Sequence, residues 1–135
     1  METITFDRDI TLMYVPATHF PEGIREAHEK LHATVPYSPA RRYFGLSRPQ
    51  NGVIRYWAAA EELQEGEAGK LKCDTMLLPS GTYASVTLPD YMKDLSAIER
   101  TFQSLLKHPD LAPDSYCVEW YISNKDMKCL VRLSR

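Results

Sequence analysis

Long apolar segments and an excess of positive charge are both missing from this sequence of 135 residues. No apolar run approaches the roughly 20 residues that a membrane-spanning helix needs. The first residues, Met1 to Asp7, lack the basic-then-apolar pattern of a signal peptide. The formal net charge is −2, whereas nucleic-acid-binding domains favour basic surfaces. We therefore expect a cytoplasmic protein that binds neither membranes nor nucleic acid.

Paired cysteines are missing as well. The chain has three cysteines, Cys73, Cys117 and Cys129, and no Cys-x-x-Cys motif, so reduced thiols packed in the fold are favoured over disulfides or a zinc site. His28 and His32 have a four-residue spacing that can hold a metal on a helix, but nothing in the nearby sequence completes such a site. We predict two solvent-exposed histidines, no metal and no cofactor.

The most informative segment that is present is Ser115-Tyr-Cys-Val-Glu-Trp-Tyr-Ile122, whose aromatic and β-branched residues predict a strand. Alternation divides its side chains between two faces, with Cys117, Glu119 and Tyr121 on one and Tyr116, Val118, Trp120 and Ile122 on the other. We expect Val118 and Trp120 to be buried under helices. A carboxylate in such an apolar strand is costly without a partner, which suggests that Glu119 meets a ligand on the opposite face.

Apolar periodicity predicts the other elements. We expect helices at about residues 21–35 and 91–107, and a polar connector at 61–72. A hairpin is predicted around Asn51-Gly52, because this pair tolerates positive φ between two apolar runs. The remaining strands are predicted at about residues 4–15, 41–48, 53–60, 76–88 and 128–133.

The order of these elements repeats, which predicts a single α+β domain over residues 1–135. Each half is a β-α-β-β unit, the first at about residues 4–62 and the second at about 75–135. Two such units are expected to form one antiparallel sheet, with both helices on one face and a ligand cleft on the other. Aligning Pro39 with Pro113 places Gly45 opposite Glu119 and Tyr43 opposite Cys117.

Tyrosines on the predicted strands are candidates to line this cleft around Glu119. The predicted ligand-binding residues are Glu119, Tyr121, Tyr83, Tyr56 and Tyr43. For each tyrosine, ordinary packing in the sheet with the hydroxyl in contact with solvent is as consistent with the sequence as ligand contact is. Glu119 has a structural alternative too, namely an ion pair with Arg41, Arg55 or Arg132. Whether Trp57 faces the cleft or the core stays open.

The segment Leu78-Pro-Ser-Gly-Thr-Tyr83, the amphipathic helix after it and the strand Cys117-Val-Glu-Trp-Tyr121 together resemble the GyrI-like effector-binding domain. The resemblance covers essentially the whole chain. Domains of this family occur alone and fused to AraC-type activators and multidrug-sensing transcription regulators of bacteria. The resemblance implies that Glu119 lies in a cleft lined by aromatic residues, with Tyr121 beside it, and meets cationic or polar aromatic ligands. Some stand-alone relatives are hydrolases that use the same cleft.

Three functions are consistent with these features. The first is a small-molecule-binding protein of the effector-binding type, which takes a lipophilic cation or an aromatic compound. The second is a small hydrolase with Glu119 as general base; otherwise no catalytic residue is expected. The third is a protein that uses the open sheet face for a partner or a homodimer. We expect no DNA-binding segment, because a helix-turn-helix would need two more helices.

Overall fold

The computed structural model describes residues 1–134. Eight antiparallel strands form one curled sheet in the order β1-β6-β8-β7-β3-β4-β2-β5. The strands are β1 Glu2–Phe6, β2 Ile10–Pro16, β3 Tyr43–Gln50, β4 Val53–Glu61, β5 Asp74–Leu78, β6 Gly81–Leu88, β7 Cys117–Tyr121 and β8 Met127–Arg132. The helices are α1 Ile24–Thr34, α2 Glu67–Leu71 and α3 Ser96–Leu105, with a 3₁₀ turn at Tyr91–Lys93. No helix within this described part is long and apolar enough to cross a membrane.

The strand order is symmetric, which confirms the two β-α-β-β repeats. Reading the order backwards exchanges β1 with β5, β6 with β2, β8 with β4 and β7 with β3. The pseudo-twofold axis therefore passes between β3 and β7, the two central strands. The predicted hairpin is confirmed too, since Asn51 and Gly52 take positive φ between β3 and β4.

Two predicted strands are each divided in two. The stretch expected at residues 4–15 forms β1 and β2, and the stretch at 76–88 forms β5 and β6. The break has a topological reason: β1 pairs with β6 of the second repeat, while β5 pairs with β2 of the first. The turn between β1 and β2 contacts the turn between β5 and β6, where Ser80 N donates to Asp9 Oδ1 over 2.7 Å. The exchange of β1 and β5 between the repeats therefore joins the two halves of the sheet.

The predicted polar connector contains the short helix α2, which the periodicity did not reveal. Its Glu67 accepts two hydrogen bonds from the guanidinium of Arg41, at 2.8 Å each. Arg41 is almost fully buried and also donates to the carbonyl of Glu61. An ion pair that joins distant residues therefore fixes this segment.

Both long helices lie on the same face of the sheet, as predicted. Helix α1 packs on β2 and β4, while α3 packs on β6 and β8. Ala58, Gly45, Glu119 and Cys129 form one row of directly paired residues across β4, β3, β7 and β8. Ala58 belongs to the cluster under α1 and Cys129 to the cluster under α3. The central strands β3 and β7 are thus left between the helices.

The prediction of which side chains face the helices is wrong. Val118 and Trp120 belong to the core on the concave face of the curled sheet, together with Phe44, Leu46 and Leu130. Glu119 and Tyr121 lie on the helix face, so their expected placement in a cleft on the opposite face is wrong as well. The physical reason is that the curled sheet buries both of its faces. Apolar residues on one side of β7 therefore did not identify the side covered by helices.

Candidate functional site

The candidate site is the strip of β3 and β7 that lies between α1 and α3, which we call the seam. Its centre is the pair Gly45 and Glu119, which confirms the predicted juxtaposition of these two residues. Cys117 pairs with Ser47 and not with Tyr43, because the register of two antiparallel strands runs in the opposite sense to the alignment of two repeats. Gly45 and Glu119 occupy equivalent positions in the two repeats and pair directly next to the pseudo-twofold axis.

Gly45 leaves the space that the site needs. A Cβ atom at this position would lie 2.0 Å from the hydroxyl oxygen of Tyr56 and 2.9 Å from Oε1 of Glu119. Real Cβ atoms do not approach other atoms so closely. The mid-strand glycine thus lets the phenol of β4 reach across β3 to the carboxylate on β7.

Three oxygen atoms converge in this space. The Tyr121 hydroxyl donates to Oε1 of Glu119 over 2.5 Å, and the Tyr56 hydroxyl donates to the same oxygen over 3.2 Å. The two hydroxyl oxygens are 3.0 Å apart. Tyr56 is 2% exposed, whereas Glu119 and Tyr121 are half-buried. The carboxylate therefore has a fixed orientation at the bottom of the seam.

Opposing effects act on the ionisation of Glu119. Burial raises the pKa of its carboxyl group, and the hydrogen bonds from Tyr121 and Tyr56 act in the opposite direction. Burial likewise raises the pKa of the Tyr121 hydroxyl, and the neighbouring carboxylate raises it further. Burial and the same carboxylate also raise the pKa of Tyr56, so both phenols are neutral at pH 7.

No salt bridge within residues 1–134 includes Glu119. The predicted structural alternative, an ion pair with an arginine of the sheet, is therefore wrong for the residues named. Arg41 pairs with Glu67, Arg132 donates to the carbonyl of Ser80, and Arg55 is exposed. The negative charge at the seam has hydrogen-bond donors but no counter-charge in this part of the chain.

His28 is a member of the site that the sequence did not identify. Its Nε2 lies 2.8 Å from the hydroxyl oxygen of Tyr56, and its ring is edge-on to the Tyr121 ring at 5.4 Å. Burial lowers the pKa of His28 to about 4, with a smaller contribution from His32. The prediction of two exposed helix histidines holds for His32 and is wrong for His28. The spacing of His28 from Ile24 and Leu31 was the signal that it faces the sheet.

Two further aromatic rings extend the site along the seam. Phe20, in the segment before α1, stacks on Tyr56 with ring centroids 6.1 Å apart. Tyr91, in the 3₁₀ turn before α3, lies 6.0 Å from Tyr121. A cavity of about 460 Å³ borders Tyr56 between residues 17–22 and 53–56. The carboxylate thus lies among aromatic rings, and open space adjoins one of them.

The structure brings three of the five predicted ligand-binding residues together, namely Glu119, Tyr121 and Tyr56. Tyr83 is buried on the concave face, where its hydroxyl donates to the carbonyl of Pro79. Tyr43 lies on the helix face, but it contacts Tyr37 and His32 instead of the Glu119 cluster.

Two further questions were the side of the sheet that Trp57 faces and the presence of residues able to bind a metal ion. Trp57 faces the concave side, where it packs edge-on against Tyr116. Across residues 1–134, no three histidine, cysteine or acidic side chains are grouped so that they could hold a metal ion.

The sequence matches no protein-family model and no curated protein, but solved structures share the fold. An integron cassette protein from the mobile metagenome of Vibrio cholerae superposes with a TM-score of 0.71 at 12% identity, over 98% of this chain and 94% of the other. A hydrolase from Listeria innocua superposes with a TM-score of 0.56 at 9% identity, over 98% and 90%. At such low identity the likeness is one of fold, a small α+β protein with a curled sheet.

Proposed function

We propose that the protein binds a small organic cation with an aromatic or apolar body, in the seam above Glu119. The observation that carries this proposal is the carboxylate itself: two phenols hold it in place, and no cationic side chain of residues 1–134 neutralises it. A charge that the fold orients but leaves without a counter-charge is suited to a ligand of opposite sign.

The energetics favour a cation over a neutral ligand. Burial already disfavours the charged form of Glu119, so a positive group brought to the same place recovers part of the free energy of desolvation. Hydrogen bonds or contacts that involve a full charge are worth roughly 1.5–3 kcal/mol in proteins. The charge of Glu119 therefore supplies selectivity for cations.

The surroundings suit an aromatic or apolar body on the same ligand. The rings of Tyr121, Phe20 and Tyr91, which are not fully buried, offer surface for dispersion contacts and for cation–π attraction. The cavity beside Tyr56 provides volume for the part of the ligand that extends away from the charge. Such a ligand is an amphipathic cation, the class that the resemblance to the GyrI-like effector-binding domain also implies.

A hydrolase is the second candidate function. It is favoured by one specific feature, a carboxyl group with a raised pKa that lies between two phenols, because general bases are often carboxylates tuned in this way. Under this alternative Glu119→Gln abolishes turnover while substrate binding survives.

The test uses a cation and its neutral isostere. Phenyltrimethylammonium and tert-butylbenzene have the same shape and differ in one charge. In Glu119→Gln we expect affinity for the cation to fall about tenfold or more, since the charge-assisted contact is lost. Affinity for tert-butylbenzene should change little. Calorimetric titration of both compounds measures this difference.

The control is Glu99→Gln, which removes the same charge from an exposed position on α3. It should bind both compounds like the wild type. Equal affinity of wild type and Glu119→Gln for the cation would reject the proposal. Product formation from ester and amide substrates in the wild type, lost in Glu119→Gln, would favour the hydrolase.

A further inference from the structure

His28, Tyr56, Tyr121 and Glu119 form one continuous chain of polar contacts. His28 Nε2 is 2.8 Å from the Tyr56 hydroxyl, which is 3.2 Å from Oε1 of Glu119 and 3.0 Å from the Tyr121 hydroxyl. Each phenol has only one proton to donate. The position of the proton on one group therefore decides the positions on the others.

The possible proton arrangements fall into two groups, which differ in the tautomer of a neutral His28. In the first, Nε2 carries the imidazole proton and donates to the Tyr56 oxygen, so that the Tyr56 proton is left for Glu119 or for the Tyr121 oxygen. In the second, the proton is on Nδ1, and Tyr56 donates to Nε2. The second arrangement turns a lone pair of the Tyr56 oxygen toward Oε1, which disfavours an ionised carboxylate.

The charge state of Glu119 discriminates between them. The proposed function requires an ionised carboxylate, and the 2.5 Å separation between the Tyr121 hydroxyl and Oε1 is compatible with a hydrogen bond to that form. An ionised Glu119 needs the proton of Tyr56 as well, because the two oxygens face each other at 3.2 Å. That proton is then not available to His28, and His28 must be the donor.

We propose that His28 is a positioning residue, whose Nε2–H donates to Tyr56 and thereby directs the Tyr56 proton to Glu119, which keeps this carboxylate ionised for a cation. The inference rests on the proposed function in so far as it concerns the charge that would meet the ligand. The inference also gives helix α1 a role at the site, because His28 connects this helix to the carboxylate through the Tyr56 hydroxyl.

The other titratable groups around the cluster do not supply this effect. Cys117 on β7 and Cys129 on β8 are thiols whose pKa burial raises to about 11 and about 12. Tyr91 in the 3₁₀ turn also has a raised pKa, mainly through burial. His32, one turn along α1, is exposed and contacts Tyr43. The two thiols and Tyr91 are neutral at pH 7, and His32 contacts Tyr43 instead of the cluster, so the charge of Glu119 depends on the two phenols and on His28.

The first test is made on the ligand-free wild-type protein. Long-range ¹H–¹⁵N NMR spectra distinguish the two neutral tautomers of an imidazole, and the signals of His28 are assigned by their loss in His28→Phe. We expect the tautomer with the proton on Nε2. A proton on Nδ1 would overturn the proposal. Since no ligand is present, this result is independent of whether the proposed function is correct.

The second test measures the ionisation of Glu119 by ¹³C NMR of its side-chain carboxyl, assigned with Glu119→Gln. In His28→Phe the ring contacts are retained and Nε2 is lost, so the pKa of Glu119 should rise. Affinity for phenyltrimethylammonium at pH 7 should fall about threefold to tenfold, the range for one neutral hydrogen bond. An unchanged or lowered pKa of Glu119 would contradict the proposed donor role.

Two controls separate positioning from a general effect on the fold. His32→Phe makes the same change one turn further along α1, and the pKa of Glu119 should stay at its wild-type value. In the Tyr56→Phe background, where the relay is interrupted, adding His28→Phe should have no further effect on the pKa of Glu119. An equal effect of His28→Phe with and without the Tyr56 hydroxyl would show that His28 acts by another route.

Discussion

Glu67 and Glu119 are two carboxylates that the fold treats in opposite ways. Glu67 is bound by the guanidinium of Arg41, and this interaction lowers the pKa of Glu67 to about 2. Glu119 is bound by two neutral phenols, and burial raises its pKa. The charge of Glu67 is thus paired within the structure, whereas the charge of Glu119 has no counter-charge among residues 1–134. This difference distinguishes a structural carboxylate from a candidate ligand-binding one.

The largest expected effect is the change in stability when each carboxylate loses its charge. Glu67→Gln leaves the buried guanidinium of Arg41 without its counter-charge, so the free energy of unfolding should fall by on the order of 3 kcal/mol. Glu119→Gln removes a charge that burial disfavours, and stability should stay the same or rise. Urea denaturation of both variants at pH 7 measures this. A larger loss for Glu119→Gln would reverse the assignment of roles.

The next effect concerns the glycine that faces Glu119. In Gly45→Ala the new methyl group overlaps the Tyr56 hydroxyl, and overpacking of this kind costs about 1–3 kcal/mol. Thermal and urea unfolding should show the loss, together with weaker cation binding. Gly69→Ala on α2 is the matched control, because a Cβ there meets no atom within 4 Å. It should be neutral or stabilising. Equal behaviour of the two variants would show that Gly45 is not needed for space.

A smaller effect is expected from the hydroxyl of Tyr121, which makes the shorter of the two hydrogen bonds to Glu119. Tyr121→Phe keeps the ring and removes one hydrogen bond, so affinity for phenyltrimethylammonium should fall by about 1 kcal/mol, or about fivefold. Tyr83→Phe removes a hydroxyl from the concave face, where it is bonded to the carbonyl of Pro79. The second variant should bind the cation like the wild type. A similar loss in both variants would contradict the placement of the site on the helix face.

The smallest effect is the dependence of stability on pH. The pKa of Glu119 is raised on folding, so its contribution to stability is present below the unfolded pKa, roughly 4.3, and is lost as the pH rises through the folded value. The stability of Glu119→Gln relative to the wild type should therefore increase from pH 4 to pH 8. Glu67 has the opposite sign: its contribution is present above the unfolded pKa and is lost as the pH falls toward about 2. Urea midpoints measured across this range check both signs.

Much of the architecture was predictable, because it depends on local signals. The Asn51-Gly52 turn, the apolar stripes of α1 and α3 and the repeated order of elements are all visible in the sequence. The exchange of β1 and β5 between the halves was not, since it depends on pairing between residues far apart in the chain. Helix α2 was hidden for the same reason: its ion pair joins Arg41 to Glu67.

The candidate site was predictable in its residues more than in its geometry. Alternation placed Glu119 and Tyr121 on one face of β7, and the repeat placed Gly45 against Glu119. Alternation fixes faces only within one strand, so Tyr83 and Tyr56 could not be assigned to opposite faces before the register of the sheet was known. The helical spacing indicates that His28 faces the sheet, but its partner is a tyrosine 28 residues away on a strand, and no local pattern identifies that partner.

The most direct test of the central claim is the pKa of Glu119 with and without a bound cation. If the carboxylate is the counter-charge for the ligand, saturating phenyltrimethylammonium favours its charged form, and its pKa, followed by ¹³C NMR of the side-chain carboxyl, should fall. Saturating tert-butylbenzene should not lower it, because this isostere carries no charge. A Glu119 pKa that does not fall with the bound cation would contradict the account.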